Sequence, residues 1–376
     1  MSKSSSAAIV GGAVGALAVV AIVVGFLWFC KTQCNKHFPN KNSETGSSDP
    51  SAIAFSIELN RGGPSSARHF TMRELEQATK HFDESSLLGF GSFGLVYKGL
   101  LRDGTVVAIK RRPGAPRQEF VSEVAYLSEI HHRNLVKILG YCQESGFQML
   151  VFEYLPNGSI CNHLYDNKYD PSSKLEFKQR LSIALGAAKG LSHLHGLRPP
   201  IIHQNFQTAN VLVDENFIAK VSDAGIAKLL EKIEAGPSRT SSVNFFQDPE
   251  AGPSDSASSD VSDVYSFGVF LMELLTGQEA LGIDSLGSNE SLSQWMQSRL
   301  CANNLVDSRL AGKFTLEGMR DLIRLTLQCL SFPGEGRPKM EMVVVELDRI
   351  QEKEMAMTTV MGEGTDTITL GSALFT

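Results

Sequence analysis

A glycine-rich stretch near residue 90 carries the first chemistry that the sequence predicts. Gly89, Gly91 and Gly94 have the spacing G-x-G-x-x-G within residues 88–99. Without a β-carbon in the way, glycine amides approach phosphate oxygens closely. A dinucleotide site needs a helix to begin within the motif, but Leu-Val-Tyr-Lys, an Arg-Asp-Gly turn and Thr-Val-Val-Ala-Ile-Lys follow. The pattern therefore predicts strands joined by turns, with the glycines folded as a hairpin over phosphates.

The loop of residues 201–214 carries the side chains on which catalysis would depend. Its residues Ile-Ile-His-Gln-Asn-Phe-Gln-Thr-Ala-Asn-Val-Leu-Val-Asp resemble the catalytic loop of a protein kinase, in which His-Arg-Asp is followed five residues after the Asp by Asn. His203 and Asn210 match that pattern, but Asn205 stands where the family has Asp, and Gln207 where Ser/Thr-type kinases have Lys. In the family the Asp accepts the proton of the attacking hydroxyl, which an amide cannot do. The resemblance therefore predicts a degenerate base position at Asn205 and a missing positive charge at Gln207.

Further kinase motifs follow in the family's order, which an ordinary surface hairpin with a solvated lysine would not explain. Residues 107–110 resemble the strand whose Lys, here Lys110, reaches the α- and β-phosphates. In the family this Lys pairs with a helical Glu, so Lys110 is expected to face Glu123. Asp223 takes the place of the metal-binding Asp of Asp-Phe-Gly. With Asn210, it would bind Mg²⁺ through hard oxygen ligands.

Ala224 is a further departure, because the family has Phe at this position. In kinases that ring packs beneath the residue equivalent to His203 and near that of Leu127. Loss of a buried ring typically costs about 3–5 kcal/mol unless neighbours fill the gap. The resemblance leaves two possibilities: either the active alignment of the lobes is lost, or other packing maintains it.

The resemblance also implies an ATP site. Phe152 resembles the gatekeeper, and Glu153 and Leu155 would offer backbone hydrogen bonds to adenine. ATP and Mg²⁺ are therefore the expected cofactors. The residues expected to bind the nucleotide are Leu88, Gly89, Gly91, Gly94, Val96, Ala108, Lys110, Glu153, Leu155 and Leu212.

Three phrases narrow the resemblance to the plant receptor-like protein kinases of the Ser/Thr type, over about residues 70–350. The resemblance implies an α+β, bilobal protein-kinase fold. Its β-rich N-lobe would span about residues 70–155 and its α-helical C-lobe about residues 156–350. The phrases are His131–Val136, Pro156–Ser159 and Ser262–Gly268.

Several residues are expected to support the fold of such a C-lobe. In the family, Asp263 would brace the catalytic-loop backbone, and Glu250 would pair with Arg337. Gln204 replaces the Arg that would pair with a phosphate in the activation segment, residues 230–248, so that electrostatic switch is expected to be uncoupled. The candidate acceptors in this segment are Ser238, Thr240, Ser241 and Ser242.

Residues 7–30 predict a membrane-spanning helix that precedes the kinase fold. They carry no charge, and at about 1.5 Å per residue they exceed the roughly 30 Å hydrocarbon core of a bilayer. Three lysines lie within residues 31–41 and one precedes the span. The positive-inside rule therefore predicts a single-pass protein with residues 1–6 outside and the kinase-like domain in the cytoplasm. The family resemblance implies the plasma membrane.

The remaining segments and the composition add limits on partners. Residues 31–69 predict a flexible juxtamembrane linker and residues 351–376 a loosely ordered tail. Gly11 and Gly15 form a Gly-xxx-Gly pattern that would pack two spanning helices into a homo- or heterodimer. The formal net charge of −6 gives no basic footprint for nucleic acid.

The sequence leaves three functions open. The first is a pseudokinase that binds ATP and acts as a scaffold or allosteric partner of receptor-like or cytoplasmic kinases. The second is an impaired Ser/Thr kinase, because general-base catalysis supplies only about 10²–10⁴-fold in rate. The third is a nucleotide-free adaptor whose pocket is collapsed or filled by side chains, with Phe90 and Phe152 as the basis in the sequence. Changes at Asn205, Gln207 and Ala224 together favour the first, and nucleotide titration with and without Mg²⁺ separates the third.

Overall fold

The computed structural model describes residues 67–165, 175–233, 245–250, 259–280, 291–310, 312 and 314–360. All of them lie in one structural unit, Gly63–Thr376. The predicted spanning segment and most of the linker fall outside these ranges, as do the candidate acceptors Ser238, Thr240, Ser241 and Ser242 and residues 361–376. Within the described ranges, no helix is both long and apolar enough to cross a bilayer.

A six-stranded sheet forms the N-lobe, in the order β1-β5-β6-β4-β3-β2. Strand β1 pairs with β5 in parallel, and the other neighbours are antiparallel. Residues 87–100 therefore form two paired strands, as the glycine pattern predicted. The bounds are β1 Arg68–His69, β2 Leu87–Gly91, β3 Gly94–Leu100, β4 Val106–Pro113, β5 Ile138–Glu144 and β6 Phe147–Glu153.

Alternation along β4 explains how this sheet presents a lysine to the cleft. Side chains of a strand point to opposite faces in turn. Val107 and Ile109 are fully buried in a small core with Phe70. Ala108 and Lys110 are half-buried on the opposite face.

Helix α2 (Gln118–Ser128) packs beside the sheet. Phe120, Val124 and Leu127 on this helix are buried in the main core. Glu123 is also buried, with 7% exposure, so it needs a partner for its charge. The shorter helix α1 (Met72–Ala78) begins with a capping box.

The C-lobe is built mainly of helices around α6, most of whose residues are buried. A two-stranded hairpin of β7 and β8 lies against α4 (Phe177–Gly196) and follows the catalytic-like loop. This arrangement, with the N-lobe sheet, confirms the expected bilobal fold. The bounds are α3 Ile160–Leu164, α4 Phe177–Gly196, β7 Val211–Val213, β8 Ala219–Val221, α5 Ile226–Ile233, α6 Asp260–Thr276, α7 Leu292–Cys301, α8 Leu316–Cys329 and α9 Met340–Val360.

Helix α9 continues ten residues past the boundary expected at Ile350, where the sequence had suggested a loosely ordered tail. Glu354 explains the extension of the helix. Its side chain is fully buried and accepts hydrogen bonds from the backbone N–H of Thr315 at 3.0 and 3.1 Å and from the Thr315 hydroxyl. The last turns of α9 thus hold the beginning of α8 in place.

Candidate functional site

The short hairpin of β7 and β8 brings the two predicted metal positions together. Its register pairs Val211 with Val221, so the residue before β7 lies beside the residue after β8. The backbone N–H of Ser222 donates to the carbonyl oxygen of Asn210 at 2.8 Å. Asn210 and Asp223 therefore lie at the same end of the hairpin, as expected for two ligands of one ion.

The catalytic-like loop is held in place by Asp263 on α6, as predicted. Its carboxylate accepts the backbone N–H groups of His203 at 2.7 Å and Gln204 at 2.9 Å. His203 is fully buried, and its Nε2 lies 2.8 Å from the carbonyl oxygen of Ser222. The ring thus donates from Nε2 and ties the loop to the residue before Asp223.

A second buried carboxylate, Glu273, supports the loop from α6, and sequence reasoning missed it. It accepts the hydroxyl of Thr208, the hydroxyl of Tyr165 at 2.5 Å and the N–H of Ala280 at 2.7 Å. Burial raises the pKa of Glu273. The available signal was an acid within the apolar run of α6, since a buried charge requires partners.

Asn205 and Gln207, the two degenerate positions, are both half-buried on this braced loop. The Nδ2 of Asn210 donates to the carbonyl oxygen of Asn205 at 2.8 Å, so the local turn is formed. The loop therefore has an ordered backbone, but it has an amide where the family has a carboxylate and no cation at position 207. It can position groups and it lacks a proton acceptor at that point.

Lys110 does not pair with Glu123, which corrects the expectation from the family. Instead, its Nζ forms a salt bridge with Oδ1 of Asp223, and the two side chains are 12% and 3% exposed. Lys110 also lies 5.3 Å from the centroid of the Phe152 ring. The predicted phosphate-binding cation and the predicted metal-binding anion therefore neutralise each other.

Glu123 is instead paired with Lys232, a residue that sequence reasoning did not single out. Lys232 lies on α5, which begins directly after Gly225. The helix buries Ile226, Leu229 and Ile233 and packs against α2. The partner of Glu123 therefore changed because a helix that follows Asp223 carries its own lysine to the buried carboxylate.

The space that a phenylalanine ring would need at Ala224 is largely filled. Gly225 has a φ of +75°, and an added β-carbon would lie 2.4 Å from Cδ2 of Leu127. A cavity of about 10 Å³ remains, lined by Leu127, Ile130, Phe152 and Ala224 among others, which holds at most about one water. The sequence left open whether other packing replaces the ring or the active alignment is lost. The structure has replacement packing around Ala224, and it also has a rearranged charge pair between Lys110 and Asp223.

The glycine loop closes over Lys110. A β-carbon added to Gly91 would lie 3.9 Å from Nζ of Lys110. Phe90 is 81% exposed, so the expectation that it fills the pocket is wrong. Phe93 is the buried ring of the loop, and it stacks on Phe120 of α2 with the ring centroids 6.3 Å apart.

The other residues expected to bind the nucleotide lie on strands β2, β3, β4 and β7 and at the end of β6. Leu88 is 50% exposed, and Val96, Ala108 and Leu212 are half-buried. The backbone N–H of Leu155 donates to no residue within the described ranges, whereas its carbonyl oxygen accepts from Gly158 at 3.2 Å. The connection after β6 therefore retains a hydrogen-bond donor that an adenine ring could use.

Arg337 binds two carboxylates of the segment before α6. It pairs with Glu250 at 3.0 Å, as predicted, and also with Asp248 at 2.6 Å. Asp248 lies two residues before Glu250, where protein kinases have the Ala of an Ala-Pro-Glu motif, and its carboxylate was the signal for this added contact. The pairing fixes the end of the activation segment to the C-lobe.

The geometry is that of a protein-kinase domain, and comparisons with known proteins agree. The protein tyrosine and serine/threonine kinase family matches residues 82–347. Receptor-like protein kinase THESEUS 1 of Arabidopsis thaliana is 39% identical over 306 residues, which cover 78% of this chain and 35% of that protein. "Probable serine/threonine-protein kinase PBL22" of the same plant is 37% identical over 322 residues, 81% of this chain and 82% of the relative.

The chain therefore belongs to the protein-kinase family, and within it to the plant receptor-like protein kinases with a degenerate catalytic loop. A solved structure, the pseudokinase domain of BIR2, an immune regulator of the RLK/Pelle family, has 28% identity and a TM-score of 0.64. It covers 84% of this chain and all of that chain. The chain spans 35–42% of the length of the first three receptor-kinase relatives it matches.

Proposed function

We propose that this protein is a membrane-anchored receptor-like kinase homologue that transfers little or no phosphate and acts as a signalling scaffold or allosteric partner of active kinases. One observation carries the proposal. The loop is fully braced by Asp263, yet its base position is occupied by the amide of Asn205. A loop that keeps its supports and lacks its reactive group is suited to positioning and not to proton transfer. The membrane anchor rests on the pattern of residues 7–30 and on the receptor-kinase relatives.

The magnitudes favour loss of activity over mere impairment. Removal of a general base costs about 10²–10⁴-fold, and positioning with electrostatics provides most of the remaining acceleration of phosphoryl transfer. Gln207 also removes one positive charge from beside the transferring phosphate. The salt bridge between Lys110 and Asp223 also withholds the two groups that would hold phosphate and metal. The catalytic base, the positive charge at position 207 and the charged groups that would hold phosphate and metal are therefore all affected.

We further propose that the protein binds ATP with Mg²⁺. The donor set fits the ion, because Asn210 and Asp223 supply hard oxygens at one end of the β7–β8 hairpin. The Nδ2 of Asn210 donates to the carbonyl oxygen of Asn205. The Oδ1 of Asn210 accepts no hydrogen bond from a residue in the described ranges. Bound Mg²⁺ would neutralise phosphate charge. Lys110 would then leave its salt bridge with Asp223 and bind a phosphate oxygen. The N–H of Leu155 would orient the adenine ring.

A nucleotide-free adaptor is the second candidate. The observation in its favour is the Lys110–Asp223 salt bridge together with the approach of Gly91 to Lys110. In this alternative the charge pair is the permanent state of the cleft, and partners would recognise the surface alone.

Thermal melting of the full-length chain in detergent, with and without ATP and Mg²⁺, separates the two candidates. Ligand bound only to the folded state adds about 2.7 kcal/mol at a hundredfold excess over Kd, so we expect ATP to raise the melting temperature. Lys110→Ala should abolish most of the rise, whereas Lys339→Ala, which removes an exposed lysine just before α9, should preserve it. An unchanged melting temperature at millimolar ATP would assign the protein to the adaptor class.

A further inference from the structure

A shallow, open pocket lies where the α2–β5 loop, the end of β6 and strand β8 meet. Its volume is about 300 Å³, which is at the lower end of the range for sites that hold small ligands. None of the residues that line it belongs to the glycine loop or to the catalytic-like loop. The polar lining residues are His131, His132, Arg133, Lys137, Glu153 and Lys220.

The pocket has an excess of positive charge. Glu153 is its one carboxylate, and Lys220 binds it at 2.8 and 2.9 Å while the backbone N–H of Lys137 donates to it at 2.8 Å. The side chains of Arg133 and Lys137 form no ion pair with any residue in the described ranges, and both residues are exposed. Burial, with the neighbouring His193 and Lys189, lowers the pKa of His132, so this ring adds no charge at neutral pH. Three cations therefore face one satisfied carboxylate, in a chain of net charge −6.

The backbone that carries the two unpaired cations is rigidly held. Asn134 is 6% exposed, and its Nδ2 donates to the carbonyl oxygen of Ala219 at 2.8 Å. The N–H of Val221 donates to the carbonyl oxygen of Asn134 at 2.8 Å, and the N–H of Val136 donates to that of Val221 at 2.9 Å. Arg133 and Lys137 thus flank a segment that is fixed to β8 on both sides. The backbone beneath these two side chains therefore needs no ordering when a ligand binds.

We propose that this pocket binds a phosphorylated Ser or Thr side chain of a partner protein. The planar guanidinium of Arg133 matches two oxygens of a phosphate group, and Lys137 adds a second full charge. Two unpaired cations are enough to neutralise one phosphate group, whereas recognition of an anionic membrane surface usually takes a cluster of about four to eight basic residues. Only the choice of partner, an active kinase that phosphorylates itself, rests on the function proposed above.

Fluorescence anisotropy tests the proposal on the full-length chain in detergent, without nucleotide. The probe is a labelled degenerate peptide library with one fixed phosphothreonine, and the same library with threonine is the comparison. We expect saturable binding of the phosphorylated library alone. Arg133→Gln with Lys137→Gln should weaken binding about tenfold or more. The matched pair Arg73→Gln with Lys339→Gln, which removes one exposed Arg and one exposed Lys elsewhere, should leave it unchanged.

Three results would overturn the proposal. One is the absence of binding by the unmodified chain, and another is equal binding of the phosphorylated and unphosphorylated libraries. The third is binding to vesicles of phosphatidylserine that depends on Arg133 and Lys137 while the peptides fail, which would make the pocket part of a membrane-facing surface. Melting temperatures of the pocket variant and the control should agree, because the substituted residues are exposed. Since the assay contains no nucleotide, its failure leaves the proposed ATP site untested and intact.

Discussion

At the scale of single residues, position 205 decides whether an acceptor hydroxyl has a base beside it. Asn has the shape of Asp without its charge, and the loop around it forms its expected turn through the bond from Asn210. Asp263 and His203 make the contacts that hold the loop. The chemical defect is therefore local, and the surrounding backbone is available for repair.

The double change Asn205→Asp with Gln207→Lys should raise phosphate transfer measurably above that of the unmodified protein. Asp supplies the proton acceptor, worth about 10²–10⁴-fold, and Lys supplies a charge beside the transferred group. Transfer of radiolabelled phosphate from ATP to the chain itself and to a basic protein is the measurement. Adding Asp223→Ala should remove the gain. Strong transfer by the unmodified chain that is lost on Asp223→Ala would instead identify a working kinase.

Ala224 is a second residue whose surroundings determine what a reversion would do. The sequence left open whether the loss of the family's Phe at this position disturbs the alignment of the lobes. Because Leu127 lies against Gly225 and only about 10 Å³ remains beside Ala224, a ring introduced there must displace packed side chains.

We expect Ala224→Phe to destabilise the protein by about 1–3 kcal/mol, the usual cost of overpacking a filled core. Thermal melting of the full-length chain, followed by circular dichroism, measures the change. Lys228→Phe is the control, since it places the same ring on an exposed position of α5. A melting temperature for Ala224→Phe at or above that of the unmodified protein would show that the neighbours open readily and that the ring can be accommodated.

At the scale of elements, α5 determines which ion pairs form in the cleft. It follows Asp223 directly, packs against α2 and carries Lys232 to Glu123. Lys110 is then left with Asp223. The two salt bridges are coupled through α5, because Glu123 can return to Lys110 only if Lys232 releases it.

Lys232→Glu should tighten ATP binding by up to about fivefold. The substitution replaces attraction to Glu123 with repulsion, and a partly exposed pair of this kind is worth about 0.2–1 kcal/mol. Lys228→Glu makes the same charge change one turn earlier on an exposed site and should have no effect. Fluorescence titration with a labelled ATP analogue gives both dissociation constants. Weaker binding in Lys232→Glu than in the control would show that α5 supports the nucleotide site.

Local patterns predicted the elements, and fixed positions in the family's fold predicted most of the pairings between them, but not the partners of Lys110 and Glu123. The glycine spacing and the strand-like residues around Lys110 indicated strands β2 to β4. The contacts of Asp263 and Arg337 were predicted because their partners lie at fixed places in the fold. The exchange of partners at Glu123 depends on where α5 packs, which is a balance of tertiary contacts. Tertiary contacts also decide which ring of the glycine loop is buried. Phe93 is buried because it stacks on Phe120, while Phe90 remains exposed to solvent.

At the scale of the whole molecule, buried ion pairs join distant parts of the C-lobe. Arg180 on α4 is 2% exposed and pairs with Asp307 at 2.7 Å, across 127 residues of sequence. Burial alone would raise the pKa of Asp307, but hydrogen bonds from Arg309 and Arg180 outweigh it and lower the pKa below its ordinary value of 3.8. Removal of one member of such a pair leaves a buried charge without compensation.

Asp307→Asn should therefore lower the free energy of unfolding by about 3–5 kcal/mol at neutral pH. The lowered pKa of Asp307 gives the sign of the pH dependence. The contribution of Asp307 is complete above the unfolded-state pKa, near 3.8, and is lost as pH falls through the lower folded-state pKa. Urea titrations should show the difference from the unmodified protein shrinking in that acidic range.

Asp348→Asn serves as the control for this pH dependence. Asp348 is 52% exposed and lies 3.8 Å from Lys189, so its loss should change stability by less than about 1 kcal/mol at any pH. A difference for Asp307→Asn that stays constant into the acidic range would contradict the assigned role of its charge.

The Lys110–Asp223 salt bridge also bears on how fast ATP enters the proposed site. If the pair has to separate first, the observed association rate rises with ATP concentration only until separation becomes limiting, and then reaches a plateau. The apparent Kd equals the intrinsic value divided by the fraction of molecules in which the pair is open, so an open fraction of about one tenth weakens binding about tenfold. A partner that holds α5 away from α2 would raise that fraction without touching the nucleotide, and the site would then report on the partner through its occupancy and filling rate.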